Sequence, residues 1–209
     1  MRFEYFPSQT EVAAFSFFFK DFENPIENVI IDSGADGTIM PRNTPGAKLM
    51  GIELEARKNL GVFTPVLRDL TFIGNLTLSK SVIDLQLGEQ VVQLTTRSRP
   101  MVNQSPFVVN LSLDYANEAS GLGARLLYNV YGKRIVEVGS RGLPDSYEHP
   151  RHVVDLTLSQ RVAKQFDFRL IATNLLGSSH VVTLGSKHDD AMIQRSYREP
   201  RVISLVGTY

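Results

Sequence analysis

Apolar and polar residues alternate with a period of two along most of this chain. Between Lys48 and Lys58, the residues Met50, Ile52, Leu54 and Ala56 fall on one side of an extended backbone, and Gly51, Glu53, Glu55 and Arg57 on the other. That is the pattern of a strand with one apolar face. A helical period would set Ile52 beside Glu53 and leave no continuous apolar stripe. The same alternation recurs down the chain. Ala13, Phe15, Phe17 and Phe19 share a face of the stretch from Glu11 to Asp21. Leu70, Phe72, Leu76 and Leu78 oppose Thr71, Asn75, Thr77 and Ser79. Phe107, Val109, Leu111, Leu113 and Tyr115 oppose Asn110, Ser112 and Asp114, and Ala124, Leu126, Tyr128 and Val130 oppose Arg125, Asn129 and Lys133. Val154, Leu156 and Leu158 oppose Asp155, Thr157 and Ser159, and Phe166, Phe168, Leu170 and Ala172 oppose Asp167, Arg169 and Thr173. Ile203, Leu205, Gly207 and Tyr209 share the last face.

With Met1 to Phe6 as a partial strand, the pattern predicts an all-β, antiparallel chain of about nine strands and no helix. Several strands are longer than the usual mode of about 5–6 residues. They match the roughly 9–11 tilted residues with which a β-strand crosses a bilayer. A soluble β-sandwich alternates in the same way, and alternation alone favours it.

The connections shift that balance. Pro7 to Thr10, Asn117 to Gly123 and Ala163 to Gln165 are short turns, and Leu60 to Leu67 is intermediate. Glu23 to Gly46, Leu85 to Gln104, Gly139 to Arg151 and Gly177 to Pro200 are long, and they alternate with the short ones. Long structureless connections are uncommon in compact soluble domains. Long loops at one end and short turns at the other is the asymmetry of outer-membrane barrels. Phe6, Phe22, Tyr115, Tyr131, Phe166 and Tyr209 lie towards segment ends, where an interfacial aromatic girdle would place them.

Composition narrows the chemistry. The 22 basic and 22 acidic residues cancel, which argues against a basic surface for nucleic acid or a disordered acidic tail. No cysteine is present, which excludes disulfides, thiolate metal sites and cysteine nucleophiles. No apolar run reaches the roughly 18 residues of a transmembrane helix. Met1 to Pro7 lacks the apolar core and cleavage site of a signal peptide.

In order and spacing, several stretches resemble the C-terminal part of the barrel of TonB-dependent outer-membrane receptors. They are Phe19 to Glu27, Gly51 to Leu60, Arg99 to Phe107 leading into a strand, Leu126 to Arg134, Gly142 to Arg151, Ala172 to Leu176 and the terminal strand ending in Tyr209. The resemblance covers essentially residues 1–209. It implies the last nine or so of about 22 strands, with the C-terminus and short turns in the periplasm and the long loops outside. Tyr209 resembles the terminal aromatic read by the barrel-assembly machinery. The family's signal peptide, TonB-contacting segment and plug domain are not found in the sequence. Nine strands would leave an open edge, costly in lipid. The expectation is therefore a fragment, a split gene product, or part of a barrel completed by another chain.

Other constellations compete. Val29-Ile-Ile-Asp32-Ser33-Gly34 resembles the active-site loop of retroviral-type aspartic proteases, in which two chains pair such carboxylates and share one proton. Asp, Ser and Gly are also ordinary turn formers. Asp32 and Asp36 do not make an EF-hand, because Asn43 stands where the bidentate Glu belongs. Lys187-His188-Asp189-Asp190 and His149-Pro150-Arg151-His152 offer metal or siderophore ligands, but no helix aligns them.

The expectation is then a transport protein of the outer membrane of a Gram-negative bacterium, without enzymatic activity, catalytic residues, cofactor or metal. This chain would supply barrel wall and extracellular loops for uptake of a small scarce ligand such as a siderophore. Its partners would be outer-membrane lipid, the remaining barrel and plug, and the TonB system, with no nucleic acid. Ligand contacts are expected in Glu23 to Gly46, Leu85 to Gln104 and Gly177 to Pro200. Glu53, Glu55, Arg57, Asn75, Asp114, Arg125, Asn129 and Lys133 are expected to face the barrel interior. An aspartic protease centred on Asp32 and a soluble β-sandwich binding module are the alternatives.

Overall fold

The computed structural model describes residues 1–31, 38–44, 46–84, 94–96, 98–163, 165–187 and 192–209. In chain order the first strands are β1 (Arg2–Tyr5), β2 (Val12–Glu23), β3 (Ile26–Ile31), β4 (Thr38–Asn43), β5 (Gly46–Asn59), β6 (Leu70–Asp84), β7 (Ser98–Arg99) and β8 (Phe107–Asn117). The rest are β9 (Leu122–Tyr131), β10 (Arg134–Glu137), β11 (Ser146–Glu148), β12 (Val153–Val162), β13 (Phe166–Thr173), β14 (Ser179–Leu184), β15 (Ile193–Arg198) and β16 (Val202–Thr208).

One antiparallel sheet runs β1-β2-β5-β6-β8-β9-β12-β13-β16, with β7 pairing the far end of β6. These nine strands are the nine that the alternation predicts. Every neighbour on the path is the next wall strand along the chain, so the wall is an up-and-down meander. Its edges are β1 and β16, and it does not close on itself.

The register keeps the two faces separate across the whole sheet. One row reads Phe17, Ile52, Leu78 and Phe107; the next reads Phe15, Leu54, Leu76, Val109 and Val130. Further along, Leu113, Leu126, Leu156 and Ala172 stand in one row. On the other face Ser16, Glu53 and Thr77 are opposite one another, and so are Asp114, Arg125 and Thr157. A slip of one residue anywhere would exchange the faces.

The short connections sit at one end. Gly121 adopts φ +71° in the β8–β9 turn, where its N–H returns to Asn117 O and Asn117 Oδ1 accepts from Ser120 N. A side chain at that φ is strained. Between β5 and β6, two single 3₁₀ turns (Leu60–Val62 and Pro65–Leu67) replace a tight hairpin. Asn59 caps the first by accepting from Gly61 N.

The long connections are not structureless loops, and this corrects the sequence expectation. They carry β3, β4, β7, β11, β14 and β15, while β10 follows β9 after two residues. β10, β11, β14 and β15 form a second sheet, and β3 pairs β4. A parallel bridge from Val29 to Val138 joins these two groups. The buried apolar cluster of the molecule lies here: Val29, Ile135 and Val138, with Ile31, Leu94, Val102 and Tyr147 packed on it. The core therefore sits in a cap at the long-connection end, not beneath the wall.

Candidate functional site: a two-faced wall and its cap

The apolar face of the wall is exposed. Phe17 is 48% accessible, Leu126 45%, Leu170 39% and Ile203 72%. A sandwich would bury this face against a second sheet, so the sandwich alternative fails on the structure. An exposed apolar surface of nine strands is far beyond what a soluble monomer shows, and it suits contact with lipid. At the short-turn end this face is bounded by Lys58, whose Nζ is 3.1 Å from Glu11. At the long-connection end the first charges are Lys80, opposite Met50, and Lys48, opposite Asp21 and Val82.

The polar face is tied together by cross-strand pairs. Arg2 meets Glu55 at 2.7 Å, Arg125 grips Asp114 through Nε and Nη2 at 2.6–3.1 Å, and Asn129 donates to Asn110 at 2.6 Å. Glu53, Glu55, Arg57, Asn75, Asp114, Arg125 and Asn129 share this face as predicted. Lys133 does not belong with them. It lies past the end of β9, where its ammonium donates to Ser186 O at 2.6 Å. The alternation failed there because the strand stops at Tyr131 and the chain turns into the cap.

The aromatic set divides. Tyr115 and Phe166 share the apolar face at the short-turn end, where the Phe166 and Tyr209 rings approach to 6.3 Å between centroids. Phe22 and Tyr131 sit at the other end on the polar face, opposite Ala47 and Val108. Proximity to a strand end does not give the face; parity does. Tyr131 instead reaches into the cap and donates to Glu148 at 2.9 Å.

Glu148 of β11 is the hub of the cap. It accepts from Tyr131 of β9, from Arg134 of β10 at 2.7 Å, and contacts His180 Nδ1 of β14 at 3.1 Å. Beyond His180, Arg151 contacts its Nε2 at 2.6 Å and grips Glu199 at 2.5 Å. Burial pushes the Glu148 carboxyl up, but hydrogen bonds from Arg134, His180 and Tyr131 outweigh it, and the group lies below the usual carboxylate range. Glu199 lies below it too, held by Arg151 first and His180 second. A second anchor is the ion pair of Glu27 and Arg99, with side chains 2% and 1% accessible, at 2.6 Å. It fastens β3 to β7 and so to β6. Sequence reading missed both anchors, because their members lie up to 72 residues apart.

The chain matches the family model described as TonB dependent receptor-like, beta-barrel, over residues 2–175. It belongs to that family. This is a family of receptors, not of enzymes. The wall and cap also superpose on solved receptors. The ferric-catecholate import receptor Fiu of E. coli K12 is 19% identical with a TM-score of 0.63, covering 98% of this chain and 26% of that one. A mutant of the ferric enterobactin receptor PfeA of Pseudomonas aeruginosa is 17% identical, with a TM-score of 0.59 and coverage of 99% and 29%. The ferric yersiniabactin uptake receptor FyuA of Yersinia pestis is 11% identical, with a TM-score of 0.52 and coverage of 98% and 35%. At these identities the likeness establishes the fold, and the chain spans about a quarter to a third of each receptor. No curated protein matches.

The remaining candidates resolve as follows. Asp32, Ser33, Gly34 and Asp36 lie outside the described residues, as do His188, Asp189 and Asp190. His149 Nε2 contacts Thr183 Oγ1 at 2.8 Å, while His152 contacts the Tyr128 hydroxyl at 2.7 Å, so the two histidines serve different neighbours. No group of three metal-ligating side chains occurs among the described residues. The described parts of Glu23 to Gly46, Leu85 to Gln104 and Gly177 to Pro200 converge in one cap, joined by residues 134–151, which the ligand expectation had left out.

Proposed function

We propose that residues 1–209 form the C-terminal part of the barrel of an outer-membrane receptor in a Gram-negative bacterium. The receptor would take up a scarce ligand of the iron-chelate class with energy from the TonB system. The chain supplies wall and cap; a plug domain and the remaining strands complete the receptor. The observation that carries this reading is the wall itself: nine meandering strands with one exposed apolar face and one charged face, within a chain of this family. Support for the ligand class comes from the solved receptors, which bind ferric catecholate, ferric enterobactin and ferric yersiniabactin. In this orientation the short turns face the periplasm and the cap faces outside, where it meets ligand first.

An antibody to this segment on fractionated source cells tests the proposal. The expected antigen is a large outer-membrane band that migrates differently before and after boiling in detergent. A band near the 23.4 kDa of this chain in the same fraction would mean a barrel assembled from separate chains. A soluble, heat-insensitive band would refute the membrane reading.

A further inference from the structure

His180 of β14 stands where the cap meets two wall strands, and its ring lies between partners with opposite demands. Nδ1 faces Glu148 of β11 at 3.1 Å, and the Tyr197 ring of β15 stacks on the imidazole, 4.5 Å between centroids and 14° between planes. Nε2 faces two groups at once: Arg151 Nη1 at 2.6 Å and Glu199 Oε1 at 3.2 Å. The guanidinium can only donate, and the carboxylate can only accept. A ring nitrogen carries either a lone pair or a proton, so Nε2 satisfies one of them at a time. With its proton on Nδ1, the neutral ring donates to Glu148 and accepts from Arg151. The other neutral tautomer would aim a lone pair at Glu148 and an N–H at the guanidinium. The protonated ring donates from both nitrogens, to Glu148 and to Glu199, and gives up Arg151.

The two competitors belong to different wall strands. Arg151 lies two residues before β12, and Glu199 three residues before β16. We propose that His180 is a proton-operated latch: neutral, it fastens the cap to the connection into β12 through Arg151; protonated, it fastens the cap to the connection into β16 through Glu199. The surrounding charges leave this step to the ring. Behind Glu148 stand Tyr131 of β9 and Arg134 of β10, and Arg151 also donates to Glu199 through Nη2. Two guanidiniums thus balance two carboxylates. Glu148 and Glu199 are held below the usual carboxylate range, and arginine stays charged. Imidazole is the side-chain class that ordinarily changes charge between about pH 5 and 8. Arg151 Nε is buried without a partner, so release from His180 leaves this guanidinium held by Glu199 alone among the described residues. The latch rests on the geometry of the cap and not on the receptor reading above.

The test is NMR of the protein isolated in its native assembly, with histidine, arginine and glutamate isotopically labelled, followed from about pH 8 to about pH 5. The His180 signals are assigned by their loss in His180→Gln. At the alkaline end Nε2 is expected to be unprotonated and coupled to the Arg151 guanidinium. At the acid end it is expected to carry a proton, with the Arg151 coupling lost and the Glu199 carboxylate as its neighbour. His152 is the internal reference: its Nδ1 contacts the Tyr128 hydroxyl, which can donate or accept, so that contact is expected to persist throughout. An Arg151 coupling that survives to the acid end, or a Glu199 contact unchanged across the range, overturns the latch. Arg151→Met is expected to remove the alkaline-end contact and leave the acid-end contact with Glu199 in place. Loss of both contacts in that variant would make Arg151 a scaffold for the ring and would overturn the latch as well.

Discussion

Removing Arg99 should loosen the cap without touching the wall. In the intact protein Glu27 accepts from Arg99 Nη1 at 3.2 Å and Nη2 at 2.6 Å, and from Val102 N at 2.8 Å. Both side chains are almost wholly buried. Arg99→Met keeps an apolar stem in place and leaves Glu27 as a buried carboxylate with one backbone donor. Breaking a buried pair in this way costs about 3–5 kcal/mol. At about 1.4 kcal/mol per factor of ten, local opening of the cap becomes roughly two to three and a half orders of magnitude more frequent. The reporters are two amides that join β3 to the second sheet. Ile30 N donates to Val138 O at 2.8 Å, and Val138 N to Asn28 O at 3.0 Å. Hydrogen exchange of the complete receptor should show both accelerating by that factor, with amides in the β8–β9 ladder unchanged. Adding Glu27→Gln to Arg99→Met should recover part of the loss, since a buried neutral amide costs about 1–3 kcal/mol rather than a buried charge. Acceleration of less than about tenfold would mean that water reaches Glu27 and that the pair is no anchor.

Two other outcomes follow from the same structure. Ile52→Arg, on the apolar face, should destabilise the barrel by about 2–4 kcal/mol, whereas Thr77→Arg on the polar face should cost less than about 1 kcal/mol; urea unfolding in lipid vesicles measures both, and equal costs would erase the distinction between faces. The cap should also weaken in acid. Glu148 and Glu199 are held below the ordinary carboxylate value, so their stabilisation is complete above about pH 4.5 and is lost as pH falls through their lowered values. Exchange in β11 and β14 should therefore rise as the pH falls below the ordinary carboxylate range, and Glu148→Gln should flatten that rise.

What the sequence by itself determined is the wall. Two-residue alternation is a local property, and each wall strand pairs with the wall strand before it, so pattern and order sufficed to place all nine. The faces of Glu53, Arg125 and Phe17 follow from parity alone, and the turn signals Asn117 and Gly121 stand where the chain reverses. Parity fails where a strand ends, which is why it misplaces Lys133; Phe22 and Tyr131 obey parity, and only their nearness to a strand end suggests a girdle. Only the tertiary structure decided the cap. Its strands are short: β10 is four residues and β11 three. Segments that short hold no resolvable period, and their partners come from distant parts of the chain: Val29 beside Val138, Glu27 on Arg99, and Glu148 between Arg134 and His180.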